Sequence, residues 1–450
     1  MKKTLRTMSI GIGILAAAVF FLWICRQDVL LSAGALSALI SLSLFTLTLA
    51  AALCRLASCP ALSEPSYAFV RDDTARDRST VWGLLLMFGA IVTLLQYVVV
   101  YLLARPGTDF LHSFRRLFYR SDVAHYMGIA EHWYLKTGNE RLRLVFLPLY
   151  PLLSRIFSWN GNYFAGSLLT AQLFSLASLP AAYELFRLDM DRSLAMACAR
   201  ILFLLPGAAF GRIPMSESLF LFLTLTAVYH ARRRRFLAAG LFTALAAFTR
   251  SLGVLLLGLV FLEMAFAFWE TYHADRQSAL RLLPRYVGAL ALGCTGTLAY
   301  LAINLAVSGS PFTFLTYQRE NWNQKLGLFF NTASYQLEYG LMYLKNGDLK
   351  SALSLSLPNL LCAFGTLLLL FIDRKHMRLS YLIWSLVYFA LSIGATWLLS
   401  GPRYLAMVFP LAIVLGRRCK TKSADLLVEG SLLVIQTAYL LMLALDLYVY

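Results

Sequence analysis

The chain has 450 residues, of which 59% are hydrophobic and only 14% charged, with a mean hydropathy of +0.67. Soluble domains run at roughly 45–50% apolar and about 25% charged, so this composition describes a polytopic membrane chain and excludes a string of soluble domains. The formal charge of +17 does not point to nucleic acid, because no polar segment is long enough to fold as a water-soluble basic module.

The first segment, MKKTLRTMSIGIGILAAAVFFLWICRQ, has the basic and apolar parts of a signal peptide without a small-x-small cleavage pattern. Ile24 before Cys25 also argues against a lipoprotein-type site, so this segment is expected to be an uncleaved first span. Apolar segments then follow at approximately 29–54, 81–104, 161–186, 193–210, 216–231, 236–249, 252–270, 286–307, 352–372, 380–399, 404–416 and 425–448. With 8–25 these give about 13 candidate spans at the roughly 20 apolar residues a span needs. The expected fold is an all-α polytopic membrane helix bundle, one integral membrane domain over 1–450, with two loops that contain short interfacial helices.

Orientation follows from short basic connections: MKKTLR, the Arg232 to Arg235 run, RKHMR at 374–378 and RRCKTK at 417–422 all fall on one side of this count. Lys and Arg are roughly twice as dense there, which places that side and the N-terminus in the cytoplasm. Arg232 to Arg235 is read as a stop-transfer anchor. The mixed-charge linker 55–80 suggests no chemistry, and no inverted repeat of the kind many transporters carry is visible. Seven scattered cysteines (Cys25, Cys54, Cys59, Cys198, Cys294, Cys362 and Cys419) form no C-x-x-C and no Cys/His cluster, so neither a disulfide framework nor a zinc site follows.

Two long loops, 105–160 and 308–351, fall on the outer side and hold most of the polar residues that are not topological anchors. The first carries Arg105, Asp109, Arg115, Arg116, Arg120, Asp122, His125, Glu131, His132, Arg141 and Arg143. The second carries Arg319, Glu320, Asn321, Trp322, Asn323, Lys325 and Glu338 among aromatics, and reads as partly helical and lying on the interface. Cations on the side where they are normally depleted suggest an anionic partner, with lipid-linked phosphate the obvious candidate.

Within the first loop, RSDVAHYMGIAEHWY (Arg120 to Tyr134) puts Asp122 just before a stretch of helical character. A carboxylate there can serve as a general base on an acceptor hydroxyl, or it can be an ordinary N-cap. His125 and His132 are seven apart, too far to chelate one ion as an i, i+4 pair does; His125 is better read as a hydrogen-bonding partner of Asp122, and no metal or cofactor is expected. FLPLYPLL cannot be an undisturbed helix interior with prolines at 148 and 151, and is expected to be a kinked or re-entrant segment propping the loop.

PMSESLF sets Glu217 at the outer end of a span, where it can be no more than a dipole partner. FTRSLG places Arg250 inside about 35 mostly apolar residues, where an unpaired arginine costs several kcal/mol. A helix break at the outer face resolves that cost, and SGPRYL does the same for Arg403, with Tyr404 beside it. The two arginines are read as binding phosphate, ion pairs with Glu217 or Glu338 being the alternative. Glu184, Glu263 and Asp446 remain unassigned. The absence of P-loop, Gly-rich dinucleotide, G-x-S-x-G and H-E-x-x-H patterns removes support for soluble nucleotide donors and several hydrolase classes.

RSDVAHYMGIAEHWY, FLPLYP, SESLF, TRSLG and RYLAMVFP, in that order over about 120–410, resemble the PIG-V type of GPI mannosyltransferase and its bacterial relatives, within the GT-C glycosyltransferase superfamily. The resemblance implies a GT-C-like enzyme that takes a hexose, typically mannose, from a polyprenyl-phosphate donor to an acceptor hydroxyl on a glycolipid or glycan at the external face, with inversion. It implies Asp122 as the base and carries the loop pattern onto Arg120, His125, Tyr126, Ile129 and Ala130, and the S-E motif onto Ser216 and Glu217. The binding residues expected are thus Arg120, His125, Tyr126, Glu217, Arg250, Arg403 and Tyr404. Two residues depart from the family pattern: Ser121 stands where Trp is frequent, and Trp133 where Gly is usual. The partners expected are the lipid-linked donor, the acceptor and membrane lipids, without nucleic acid, in a bacterial plasma membrane. A transporter of lipid-linked saccharides is the alternative from another class.

Overall fold

The computed structural model describes residues 2–27, 32–58, 74–105, 107, 109–394, 400–419 and 421–447. Cys59 and most of the 55–80 linker, and the end of segment 380–399, lie outside the described residues. The helices in chain order are α1 (Lys2–Gln27), α2 (Ala33–Ala57), α3 (Ala75–Ala104), α4 (Phe110–Phe118), α5 (Val123–His132), α6 (Leu149–Ile156), α7 (Tyr163–Phe186), α8 (Arg192–Leu204), α9 (Glu217–Arg232) and α10 (Phe236–Thr249). After them come α11 (Leu256–Ala274), α12 (Arg276–Ser308), α13 (Thr313–Asn321), α14 (Phe329–Lys345), α15 (Leu349–Ser351), α16 (Leu357–Asp373), α17 (Leu379–Ile393), α18 (Gly401–Leu405), α19 (Pro410–Arg418) and α20 (Lys422–Ala444).

Local chemistry sets where these helices begin. Ser32, Asn162, Asp191 and Thr421 each accept a hydrogen bond from the backbone amide three residues on, at the starts of α2, α7, α8 and α20. Thr74 and Asp77 form a reciprocal capping box at α3, satisfying two amides that the helix itself leaves unpaired.

Seven stretches among the described residues are long and apolar enough to cross a bilayer: Ala33–Ala57, Arg76–Ala104, Tyr163–Phe186, Ser251–Ala274, Arg276–Ser308, Leu349–Asp373 and Lys422–Ala444. The pair Arg192–Leu204 and Pro206–Arg212, bent by 73°, makes an eighth if it counts as one span. The chain is an integral membrane protein. The sequence count of about 13 included shorter helices as well, such as α9 with 16 residues and α10 with 14. α9 is buried on nearly every side, as a helix apolar all round must be; surrounded by protein, it need not match the thickness of the bilayer.

The main core gathers on α7, α8, α9 and α17, with Tyr183, Phe186, Phe203, Phe220, Tyr381 and Phe389 all buried. α10 and α12 pack almost backbone to backbone, because a methyl on Gly296 would overlap the Ala244 carbonyl. Close approach through small residues is how helices associate in lipid, where apolar burial against another helix gains little.

Two sequence expectations change here. Segment 308–351 was expected on the interface, but α14 joins the bundle: Phe329 and Phe330 are buried, Trp23 Nε1 donates to Asn331 Oδ1 at 3.1 Å, and Ser37 Oγ donates to the Ala333 carbonyl at 2.8 Å. Its buried residues recur at helical spacing through Gly340, a periodicity hidden by the intervening tyrosines. Only α13 keeps no buried residue. Secondly, the anchor run is divided: Arg233 to Arg235 are exposed, but Arg232 has a packing role. It is buried and donates to Asp189 (2.8 and 2.5 Å) and to the Tyr381 hydroxyl (2.6 Å). Beside it Glu263 takes both nitrogens of Arg378 at 2.7 Å and a hydroxyl from Ser380 at 2.5 Å. Paired charges tie the Arg232 end of α9 together, about 24 Å along a 16-residue helix from Glu217.

Candidate active site

The site assembles at the Glu217 end of α9. Residues 119–122 lead into α5 through a turn closed by Val123 N–H to the Arg120 carbonyl (3.2 Å). Ser121 takes a positive φ of 50° there, a left-handed conformation more natural to glycine. Arg155 fixes the far end of α5 by donating to the carbonyls of Ala130 and Glu131 at 3.1 and 3.2 Å, a cation where the helix dipole favours one. α6 supports it from below. Pro148 is the N-cap of α6 and Pro151 lies in its first turn, where no intrahelical amide is needed, so both prolines of FLPLYPLL sit at a helix start and neither interrupts a helix interior.

Asp122 occupies the N-cap position of α5, yet its side chain makes no capping hydrogen bond. The N-cap alternative therefore fails. Its Oδ2 instead accepts from Arg403 Nη1 at 2.7 Å. Arg403 Nε in turn donates to Glu217 Oε1, the same oxygen that receives Arg250 Nη1. Arg250 Nη1 also reaches Ser216 Oγ at 3.2 Å, and the Tyr126 hydroxyl shares a 2.8 Å hydrogen bond with Ser216 Oγ. Burial grades along this chain of contacts: the Glu217 side chain is 1% exposed, Arg403 5%, Arg250 12% and Asp122 23%.

Both helix breaks expected from the sequence are present. α10 stops at Thr249, Arg250 is extended (φ −146°, ψ 143°) and a 3₁₀ turn follows over Ser251–Leu255. Arg403 lies on α18, a five-residue helix opening at Ser400. The ion-pair alternative for these arginines is what the structure contains: two guanidiniums meet two carboxylates, Glu217 and Asp122. Glu338 takes no part in it; it accepts instead from Ser32 Oγ at 3.0 Å.

A cleft of about 240 Å³ opens above Asp122 and Arg403, lined also by Ser121, Val145, Phe146, Gln318, Trp322, Gln324, Ser400 and Tyr404. His125 does not hydrogen-bond the Asp122 carboxylate as expected. Its ring stacks on Phe146 (4.7 Å between centroids, 15° between planes) with the edge of Trp322 at 5.9 Å. Burial pulls its imidazole below the ordinary 6.5; Asp122 opposes that shift and Arg143 adds to it. Tyr126 is buried against Phe146 and Tyr150, and burial, with Glu217 adding, raises its phenol well above the ordinary value, so it stays protonated and available to Ser216. Tyr404 sits 5.5 Å below the Arg250 guanidinium.

Arg120 is not brought to this cluster. It turns toward the end of α20, with Nη2 3.4 Å from the Ala444 carbonyl and Nη1 3.6 Å from Asp446. There it shares a separate hollow with His112, Arg115, Arg116 and Tyr119. His132, at the far end of α5, pairs with the neighbouring Glu131 at 3.5 Å on the surface. Sequence reasoning missed Ser216 as the bridge from Tyr126 to Arg250, and Phe146, Gln318 and Gln324 as lining. Neutral residues of these types carry no charge signal; Ser216 and Phe146 stood inside the sequence motifs without a role, and the polar, aromatic run around Trp322 was the one pointer to Gln318 and Gln324.

No family model matches the chain. It is similar to GPI alpha-1,6-mannosyltransferase 2 of Rattus norvegicus, 30% identical over 210 residues, or 44% of this chain and 39% of that protein. It is likewise similar to GPI alpha-1,6-mannosyltransferase 2 of Mus musculus, 34% identical over 151 residues, or 31% of this chain and 30% of that one. The chain thus spans about two fifths or less of the length of these curated relatives. A solved structure, ArnT from Cupriavidus metallidurans bound to undecaprenyl phosphate, aligns over 77% of this chain and 62% of that one at 16% identity and a TM-score of 0.45.

Proposed function

We propose that the chain is a GT-C-type glycosyltransferase that moves a hexose, in the first instance mannose, from a polyprenyl-phosphate donor to an acceptor hydroxyl. The sequence similarity to two mannosyltransferases and the motif resemblance support the reaction class. The observation that carries the reading to residues is the Asp122–Arg403 pair at 2.7 Å, both members of which line one cleft. A base for the acceptor and a cation for the leaving phosphate then stand side by side. The basic connections at the Arg232 end support a cytoplasmic position for that end and an external one for the cleft.

In this reading the Asp122 carboxylate takes the proton from the acceptor hydroxyl as its oxygen attacks the anomeric carbon from the face opposite the phosphate. The anomeric C–O bond breaks, its electron pair passes to the lipid phosphate, and the configuration inverts. Negative charge grows on that phosphate, where a fixed guanidinium in a partly dry site has most effect. Arg403 is the guanidinium that faces the cleft. Glu217, almost fully buried, holds Arg403 and Arg250 in place and does not itself meet substrate. At rest the two carboxylates balance the two guanidiniums, so an arriving phosphate competes with Asp122 for Arg403 Nη1 and loosens the base as the donor binds.

The test is to incubate purified protein reconstituted in sealed lipid vesicles with radiolabelled polyprenyl-phosphate-mannose and a lipid extract from the source membrane. Label transferred covalently to a new glycolipid or glycan, with release of polyprenyl phosphate, is the expected result. Movement of intact label across vesicles without transfer would sink the enzyme reading and favour a transporter.

A further inference from the structure

The first loop and the helix breaks account for one wall of the cleft. The rest of the lining belongs to the second loop and is built differently. Gln318, on α13, and Gln324, beyond its end, both line the cleft with Trp322 between them. One backbone feature brings them together: Asn323 takes a left-handed φ of 50°, and the chain folds back so that the amides of Trp322 and Gln324 both donate to the Gln318 carbonyl, at 3.1 and 3.3 Å. Neither glutamine side chain is engaged by a hydrogen bond within the described structure, and the two amides and the indole are each half-buried. The charged residues of the same stretch, Arg319, Glu320 and Lys325, are exposed and do not line the cleft.

The chemistry of this wall is therefore neutral, flat and rich in both donors and acceptors. Each amide offers two N–H donors and one carbonyl acceptor, a match for vicinal hydroxyls that both give and receive hydrogen bonds. The indole, held edge-on to His125 and Phe146 at 5.9 Å each, gives the apolar C–H face of a pyranose something to lie against. A cleft of about 240 Å³ is below the roughly 300–1,000 Å³ of pockets for drug-sized ligands, which suits a single sugar ring. None of Gln318, Trp322 and Gln324 offers a phosphate a cation; Arg403 is the cation of the lining.

Building on the proposed transferase reading, we infer that Gln318, Trp322 and Gln324 form the subsite for the donor's hexosyl group, and that the two glutamines are its specificity-determining residues, reading the orientation of the ring hydroxyls. The experiment compares binding of bare undecaprenyl phosphate with that of mannosyl, glucosyl and galactosyl polyprenyl phosphates. It uses purified full-length protein and its Gln318→Leu, Gln324→Leu and Trp322→Leu variants, each first shown to melt as wild type does. Affinity for the bare lipid phosphate should be unchanged in all three. Affinity for the preferred hexosyl lipid should fall about 2- to 10-fold for each glutamine variant, the range of one net hydrogen bond, and the preference between epimers should narrow. Variants that keep both wild-type affinity for the hexosyl lipid and wild-type epimer preference would overturn the inference while leaving the transferase reading intact. Wild-type protein that binds neither bare nor hexosyl lipid would overturn both.

Discussion

Replacing Asp122 with Asn separates the roles that its position allows. The amide keeps the shape of the carboxylate and can still accept a hydrogen bond from Arg403 Nη1, now 2.7 Å from Oδ2, but it cannot take a proton. Removing a general base typically costs 10²- to 10⁴-fold in rate, which is about 3–5 kcal/mol on the barrier at 1.36 kcal/mol per tenfold. The effect on folding is expected to be smaller. Arg403 keeps Glu217 as a partner; the cluster is then left with two guanidiniums against one carboxylate, but Asp122 is 23% exposed, so the charge it leaves unbalanced is partly screened. A loss of about 1–2 kcal/mol of stability is the scale of one such charged contact discounted for exposure. Initial transfer rates at saturating donor, with melting of the same preparation, measure the two effects apart. A rate within about threefold of wild type would remove Asp122 from the base role. Lost transfer accompanied by an equal loss of donor affinity would make Asp122 a positioning residue for Arg403.

Three further outcomes follow from the same geometry. Arg403→Ala in a correctly inserted protein should raise the donor concentration needed for half-maximal rate by more than tenfold, the scale of a charge-assisted contact of about 1.5–3 kcal/mol; an unchanged donor dependence would count against a phosphate role. Gly207 packs on the backbone at Pro402, where an added methyl would collide with the carbonyl beside Arg403. Gly207→Val should therefore impair transfer with the cluster residues untouched, and a fully active, normally melting variant would refute the requirement for that close approach. His125, whose pKa burial lowers in the fold, binds its proton less readily folded than unfolded, so it contributes stability that is present above the unfolded value of 6.5 and is lost as pH falls from there toward the folded one. Melting curves across this window should show a steeper loss for wild type than for His125→Gln, and identical slopes would refute this.

The backbone at the two departures from the family pattern is itself informative. Trp133 takes φ 64° and ψ −156°, a region costing a non-glycine residue on the order of 1–3 kcal/mol. A glycine would bear that conformation without strain; the chain leaves α5 sharply there, and the Tyr134 hydroxyl donates to the Phe146 carbonyl at 2.6 Å. At Ser121 the positive φ is set by the turn that delivers Asp122 to the cleft.

What the sequence determined by itself is whatever local energetics decide. Its composition required a membrane bundle, and the cost of an unpaired arginine in apolar chain required breaks at Arg250 and Arg403, both of which are present. The acid-bearing stretch from Arg120 to Tyr134 singled out Asp122. Tertiary structure decided who meets whom. Asp122 and Arg403 are 281 residues apart, Glu217 and Arg403 186, and no periodicity carries information over such separations. For the same reason Arg120 and Asp122, two residues apart, face different hollows, because a turn with positive φ intervenes. Arg232 looked like a topological anchor and is a buried partner of Asp189, since a cation run reports which side of the membrane it occupies and not which of its members finds a carboxylate. Finally, Gln318 and Gln324 are uncharged and unremarkable in the chain. A left-handed Asn323 between them puts both side chains on one rim.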